Sequence, residues 1–244
     1  MPAALTLIGL HYWAGSGRAF AAVAELLAPD YRLLAPDLKG FGAAPAGPDF
    51  SLDAYADQVA GLVEAQGLRR YVLVGHSMGG KIALALAARQ PPGLAGVALL
   101  SPSPPGPEPM AEADRQAALR AHGQPTAAEE TFRKITAQPL SEALHQQIVA
   151  DNLRSSFGAW AAWLQHGSRE DLRARLRLAG VQVPCLLLAG AADAVLPPAV
   201  HRAHTLPLLP AGTELHLIPG AGHLLPYEAP EAVTTQLRAF CRQL

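Results

Sequence analysis

Short apolar runs recur along the chain, and longer segments between them carry apolar residues every three or four positions. Runs of consecutive apolar residues are typical of strands buried on both faces, whereas the longer spacing is typical of amphipathic helices. The six runs are residues 4–10, 31–37, 71–76, 96–102, 183–190 and 214–220. This alternation predicts an α/β fold with a doubly wound, mostly parallel sheet covered by helices on both faces.

One predicted helix shows signals at both of its ends. It covers residues 51–67, where Ser51 is placed to cap the N-terminus and Gly67 to end the C-terminus. A serine side chain can accept a hydrogen bond from a free amide of the first turn, and glycine adopts the left-handed conformation that closes a helix. We therefore expect this helix to span nearly the whole segment.

The alternation stops between residues 103 and 180. The stretch "SPPGPEP" at 103–109 is too rich in proline to continue a strand or a helix, and the residues after it have helical spacing without strand signals. We predict an insertion of four short helices. It divides the chain into a core, residues 1–102 and 181–244, and a helical cap, residues 103–180. Open α/β sheets bind ligands at the carboxyl ends of their strands, so we expect the cap to cover that edge.

Composition narrows the classes of partner. Half of the 244 residues are hydrophobic and the formal net charge is −1, so nothing favours nucleic acid or an anionic membrane as a partner.

No apolar stretch reaches the roughly 18 residues of a membrane helix, and the N-terminus lacks the basic segment of a secretion signal. Cys185 and Cys241 have no metal-ligand spacing and are expected to be reduced packing residues. We expect a cytoplasmic protein with a small-molecule partner and without metal or cofactor; the oligomeric state stays open.

The stretch "VLVGHSMGGKIALALAARQ" contains a G-x-S-x-G motif centred on Ser77. An apolar strand precedes the motif and a good helix follows it. The sharp turn between them needs small residues two positions before and after the serine, and Gly75 and Gly79 provide them. This context favours a nucleophilic serine over a serine that only caps a helix.

A serine hydroxyl needs a histidine that takes its proton and a carboxylate that orients the histidine. In this motif class the partners follow in the order serine, acid, histidine. Asp193 lies in the loop after the fifth apolar run, in "GAADAVLPP", and His223 lies after the sixth, in "GAGHLLPYEAPE". Both loops leave the same edge of the predicted sheet as Ser77, so we predict that the three side chains form a catalytic triad.

Other polar residues receive structural roles. Asp37 precedes the serine in sequence and is expected to stabilise a turn. His76 is expected to point away from the Ser77 hydroxyl, Glu228 to support the structure around His223, and Lys81 to be a charge on a helix surface. Five further histidines are expected to be solvated or packing residues: His122, His145, His166, His201 and His204.

With these motifs in place, the chain resembles the serine hydrolases of the α/β-hydrolase superfamily, in particular esterases and lactonases with a helical cap. The segments that carry the resemblance are "HYWAGSG", "PDLKGFG", "GHSMGG", "GAADAVLPP" and "GAGHLLPYEAPE". The resemblance implies that Ser77 is the nucleophile, His223 the general base and acid, and Asp193 the orienting carboxylate. It also implies acyl transfer to water without a cofactor, and an oxyanion hole formed by the backbone N–H groups of Trp13 and Met78.

The chain departs from the family in two places. Tyr12 stands where relatives usually have glycine, and we expect it either to pack under the loop with its hydroxyl bonded to protein or to narrow the pocket mouth. The first run starts close to residue 1, whereas relatives usually have an N-terminal hairpin first, so we expect about six strands.

The leading hypothesis is a hydrolase of small, largely apolar carboxylic esters or lactones. Trp160 and Trp163 lie on one face of a predicted helix, three residues apart, and are candidate substrate contacts together with Tyr12. Packing of both tryptophans in a core is the alternative. Two other functions stay open: hydrolysis of a carbon–carbon bond or non-hydrolytic elimination with the same triad, and a receptor for a small ligand without catalysis.

Overall fold

The computed structural model describes residues 5–28 and 30–244. Its centre is a six-stranded parallel sheet with the strand order β2-β1-β3-β4-β5-β6. The strands are β1 (Thr6–Leu10), β2 (Arg32–Leu34), β3 (Tyr71–His76), β4 (Leu94–Leu100), β5 (Cys185–Gly190) and β6 (Leu215–Ile218). The predicted fold class is confirmed. Strand β4 starts two residues before its predicted run, and residue 4 of the first run lies outside the described residues.

Helices cover both faces of the sheet. The α-helices of the described residues are α1 (Ala21–Leu27), α2 (Leu52–Ala65), α3 (Met78–Ala87), α4 (Glu112–Ala121), α5 (Pro125–Ile135), α6 (Glu142–Leu153), α7 (Phe157–Gln165), α8 (Arg173–Ala179), α9 (Pro198–Val200), α10 (Leu225–Glu228) and α11 (Pro230–Cys241). As predicted, Ser51 Oγ accepts a hydrogen bond of 3.2 Å from the Ala54 amide, and Gly67 after α2 has a φ of 59°. In the described part of the chain, no helix is long and apolar enough to cross a bilayer.

The sheet separates two apolar layers. Successive strand residues, such as Leu7 and Ile8 in β1 or Val72 and Leu73 in β3, point to opposite faces and are all fully buried. The layer that contains Leu7 and Val72 packs against α1 and α11, and the opposite layer packs against α2 and α3. Both faces are apolar because both are covered, which explains why the strand sequences show continuous apolar runs.

Helices α4 to α8 connect β4 to β5. The prediction of four helices is one short: four helices of nine to twelve residues are followed by the seven-residue α8, which also lies within residues 103–180. The two ends of this insertion are joined by hydrogen bonds of 2.8 Å from the Leu172 amide to the Pro105 carbonyl and from the Glu108 amide to the Ser168 carbonyl. The insertion therefore closes on itself at its base.

The expectation of a surface charge at Lys81 is wrong. The side chain of Lys81 is fully buried on α3, and its Nζ donates to the carbonyl oxygens of Gly106 at 3.0 Å and Ser168 at 3.4 Å. Burial lowers the pKa of Lys81 to about 8. Lys81 thus ties the helix after the serine motif to both ends of the insertion.

Candidate active site

Ser77 occupies a sharp turn between β3 and α3, with a φ of 52° and a ψ of −115°. This backbone conformation is unfavourable for a residue with a side chain, and the surrounding packing holds it. A Cβ atom on Gly75 would lie 2.5 Å from the Gly79 carbonyl oxygen, and one on Gly79 would lie 2.1 Å from the Leu10 carbonyl oxygen. The glycines of the motif are therefore required by close backbone contacts.

The structure brings Ser77, His223 and Asp193 together in one hydrogen-bonded chain. His223 Nε2 lies 2.9 Å from Ser77 Oγ, and His223 Nδ1 lies 2.8 Å from Asp193 Oδ2. All three residues are buried, with exposed fractions of 8%, 4% and 4% in the order serine, histidine, aspartate. The other Asp193 oxygen accepts from the amides of Val195 at 2.8 Å and Leu196 at 2.9 Å.

The surroundings of Asp193 favour its ionised form. Burial alone acts to raise the pKa of this carboxyl, but the charge of His223 and the hydrogen bonds from His223, Leu196 and Val195 outweigh burial and lower the pKa. A carboxylate accepts a hydrogen bond from the Nδ1–H group of the imidazole, which leaves Nε2 free to accept the hydroxyl proton of Ser77. The arrangement can therefore activate a serine hydroxyl.

The loop after β1 runs beside the serine and is fixed by His11. His11 Nδ1 lies 2.8 Å from the Tyr12 carbonyl oxygen, and Nε2 accepts a bond of 3.0 Å from the Leu38 amide. Ala14, with a φ of 62°, takes the left-handed conformation in this loop. Among the described residues, the amides of Trp13 and Met78 have no hydrogen-bond acceptor. Their role as oxyanion donors stays a prediction.

Tyr12 is 5% exposed and packs its ring on that of His76, with 5.3 Å between ring centroids. A Cβ atom on Gly15 would lie 2.4 Å from the Tyr12 ring, so Gly15 makes room for it. Of the two alternatives expected for Tyr12, the one with its hydroxyl bonded to protein is wrong, because this hydroxyl is buried without a partner among the described residues. Tyr12 lines the cavity beside Ser77.

His76 points away from the serine hydroxyl, as expected, and contacts the histidine loop. Its Nε2 lies 2.8 Å from the carbonyl oxygen of His223. Burial lowers the pKa of His76 to about 3, so the ring is neutral and its Nε2–H donates to that carbonyl. His76 thereby holds the backbone of His223, a role that sequence reasoning missed.

Glu228 supports the loop of His223 on both sides. Its Oε2 accepts from the Gly222 amide at 2.9 Å and its Oε1 from the Leu224 amide at 2.9 Å. The same Oε2 accepts from the amides of Ala137 and Gln138, between α5 and α6. The expected structural role is confirmed, and the link to the insertion is new.

A cavity of about 340 Å³ opens above Ser77 and His223. Its walls come from the loop after β1, the Asp193 loop and helices α4 to α7 of the insertion, and most wall residues are apolar. Trp163 lines this cavity. Trp160 does not: it packs on Trp13 with 4.1 Å between ring centroids, and its Nε1 donates to the Ala118 carbonyl at 3.0 Å. The prediction of a substrate contact is therefore corrected for Trp160, which is a packing residue.

The sheet, the strained serine turn and the Ser-His-Asp chain define the class of protein. Residues 8–236 match the model of the alpha/beta hydrolase family. The chain belongs to this family.

Individual relatives are similar over nearly the whole chain. A pimeloyl-[acyl-carrier protein] methyl ester esterase of Chromobacterium violaceum is 33% identical over 89% of this chain and 86% of its own. A 2-succinyl-6-hydroxy-2,4-cyclohexadiene-1-carboxylate synthase of Serratia proteamaculans is 30% identical over 96% and 92%. Among solved structures, a thermophilic esterase from Thermogutta terrifontis aligns with a TM-score of 0.83 at 30% identity, covering 99% of this chain and 90% of that one.

Proposed function

We propose that the protein is a serine hydrolase that cleaves small, largely apolar carboxylic esters or lactones through an acyl-enzyme on Ser77. The observation that carries this proposal is the hydrogen-bonded chain of Ser77, His223 and Asp193 at the base of a mainly apolar cavity. The esterases among its relatives support the same reaction class.

In the proposed mechanism, Ser77 Oγ attacks the carbonyl carbon of the ester while His223 Nε2 takes the hydroxyl proton. The tetrahedral intermediate collapses when the protonated histidine gives this proton to the leaving alcohol oxygen, which leaves an acyl group on Ser77. Water then attacks the acyl group while His223 takes a proton from it. His223 returns this proton to Ser77 Oγ as the acid leaves, which restores the free enzyme. Asp193 stays ionised throughout and stabilises the imidazolium.

The amides of Trp13 and Met78 are proposed to stabilise the negative oxygen of the tetrahedral intermediate. Met78 is the first residue of α3, where an amide has no partner within the helix. Donors that are already oriented toward developing charge lower the barrier without reorganisation at the moment of reaction. We also propose that residues 103–180 form the cap, because α4 to α7 supply much of the cavity wall.

Hydrolysis of a carbon–carbon bond or non-hydrolytic elimination with the same triad is the second candidate, since a relative is named a synthase of a cyclohexadiene carboxylate with a succinyl group. The charged residues on the cavity wall, besides His223, are Glu108, Asp114 and Lys134. Burial raises the pKa of Glu108 and so favours its neutral form, and Asp114 offsets Lys134. The wall therefore offers no net positive charge to a product with several carboxylates. The charges of the cavity therefore favour ester hydrolysis of an uncharged substrate.

The proposal is tested with purified protein on p-nitrophenyl acetate, p-nitrophenyl butyrate and a lactone. Asp193→Asn should lower kcat about 10,000-fold, and Ser77→Ala by at least about as much. Ser103→Ala is the matched control, because Ser103 is a buried serine whose hydroxyl contacts no histidine. Ester hydrolysis that persists in Ser77→Ala contradicts the proposal, and ligand binding without turnover of any ester or lactone supports the receptor function instead.

A further inference from the structure

We propose that Asn152 selects substrates that carry an uncharged oxygen group, such as a keto or hydroxyl group, in addition to the scissile ester. This inference rests on the proposed function and narrows its substrate class. It starts from the position of Asn152 near the C-terminus of α6, on the wall of the cavity above Ser77.

The side-chain amide of Asn152 makes no hydrogen bond to any described residue. The residue as a whole is 7% exposed, but its amide nitrogen and oxygen are not fully enclosed by protein and keep access to solvent. Thr131, another polar residue of the wall, differs: its hydroxyl donates to the Ala127 carbonyl at 2.8 Å. Asn152 therefore offers the cavity two N–H donors and one carbonyl acceptor that the protein leaves unused.

The neighbouring residue fixes the place of this amide. Asp151 is fully buried, and its carboxylate accepts from Ser16 Oγ at 2.6 Å and from Arg154 at 2.7 Å, and it also bonds Arg18. These bonds hold the end of α6 against the loop after β1. The Asn152 amide is thus presented by a rigid element, which limits its freedom to turn away from a substrate that does not match it.

The loss of solvent at the Asn152 amide on substrate binding decides which esters the cavity prefers. An apolar substrate that fills the cavity removes water from the Asn152 amide without forming a hydrogen bond to it. Binding of such a substrate is weakened, because a buried polar group without a partner costs free energy. A substrate with a keto or hydroxyl oxygen at this place restores the hydrogen bond. A site with such a polar group strongly rejects a substrate analogue that lacks the hydrogen-bonding oxygen. This discrimination is much larger than that of an apolar pocket between alkyl groups of different size.

The group that Asn152 binds is uncharged. An amide carries no net charge to balance an ion, and the charged residues of the wall are Glu108, Asp114 and Lys134 besides His223. These residues together supply no net positive charge to balance a carboxylate on the substrate, whereas a neutral oxygen needs none. A keto or hydroxyl group therefore fits the amide and its surroundings.

The experiment compares matched ester pairs by kcat/KM. In one pair the acyl group differs, p-nitrophenyl levulinate against p-nitrophenyl valerate; in the other the alcohol differs, acetonyl butyrate against propyl butyrate. The ratio of keto ester to plain ester is measured for the wild type, Asn152→Leu and Thr131→Val. Because each variant meets the same two esters, differences in their intrinsic reactivity cancel between proteins.

We expect the ratio to fall about 10-fold or more in Asn152→Leu for one of the two pairs, and to stay at the wild-type value in Thr131→Val. Asn152→Ala serves the same purpose if the leucine variant does not fold. An Asn152 variant that folds and keeps the wild-type ratio in both pairs overturns the inference while leaving the proposed function in place. A wild type that hydrolyses neither these four esters nor the lactone overturns the proposed function itself, and this inference with it.

Discussion

The carboxylate of Asp151 on α6 accepts a hydrogen bond of 2.6 Å from Ser16 Oγ. Ser16 lies four residues after Tyr12, in the loop after β1 that runs beside Ser77. From the opposite side, Asp37 accepts from the amide of Gly17 at 2.7 Å. The loop that carries the Trp13 amide is therefore held by the core on one side and by the insertion on the other. Asp37 has the structural role that its sequence position predicts.

We expect loosening of this loop to act on kcat more than on KM. In Asp151→Asn and Ser16→Ala the Trp13 amide loses part of its support, and small displacements of a catalytic group are costly. We predict about a 10-fold loss of kcat in Asp151→Asn with KM changed by less than about 3-fold, measured on p-nitrophenyl butyrate. The control is Asp53→Asn, which removes an exposed carboxylate bound by Arg89 and Arg175. Equal losses in both variants, or a change in KM alone, contradict this role.

Glu228→Gln tests the support of the histidine loop. The glutamine replaces one carboxylate oxygen with an NH₂ group, which cannot accept from the backbone amides that it faces. The hydrogen bonds to that oxygen are lost, and those that remain are no longer strengthened by a charge. We predict a loss of about 1–3 kcal/mol in the free energy of unfolding and about 10-fold in kcat. Glu231→Gln, at an exposed position at the start of α11, is the matched control and should change neither quantity appreciably.

Lys81→Met tests the tie between α3 and the insertion. Methionine keeps the apolar stem but leaves the carbonyls of Gly106 and Ser168 without this donor, which costs about 1–3 kcal/mol of unfolding free energy. Chemical denaturation followed by circular dichroism measures it. If the variant is as stable as the wild type at pH 7, the prediction is wrong. The cost of desolvating the Lys81 ammonium then equals the free energy gained from its hydrogen bonds.

Acid should destabilise the protein through its buried neutral histidines. His201 is fully buried, and burial lowers its pKa from 6.5 to about 4. Between these values the unfolded chain binds a proton that the folded protein does not, so stability falls as the pH decreases below about 6.5. We predict that His201→Leu reduces the slope of unfolding free energy against pH by up to about 1.4 kcal/mol per pH unit in this range. An unchanged slope contradicts a lowered pKa of His201 in the folded protein.

Local patterns were sufficient to predict the strands, the serine turn and the order of the three candidate catalytic residues. Each depends on neighbours in sequence: apolar runs, glycines two positions from Ser77, and loops at strand ends. Lys81 was misjudged because its partners, Gly106 and Ser168, are distant in sequence and no helical spacing reveals them. Trp160 and Trp163 share a helix face, but only tertiary packing decides that Trp163 meets the cavity while Trp160 meets Trp13.

The residue at which a serine-directed fluorophosphonate reacts shows most directly whether Ser77 is the nucleophile. Intact-protein mass spectrometry and peptide mapping locate the adduct and count it. We predict one equivalent on Ser77, fast labelling in Ser103→Ala, slow labelling in His223→Ala and no adduct in Ser77→Ala, because only Ser77 has a histidine in hydrogen-bond contact with its hydroxyl among the described serines. Labelling at another serine, or undiminished labelling of Ser77→Ala, contradicts the central claim that Ser77 is the nucleophile.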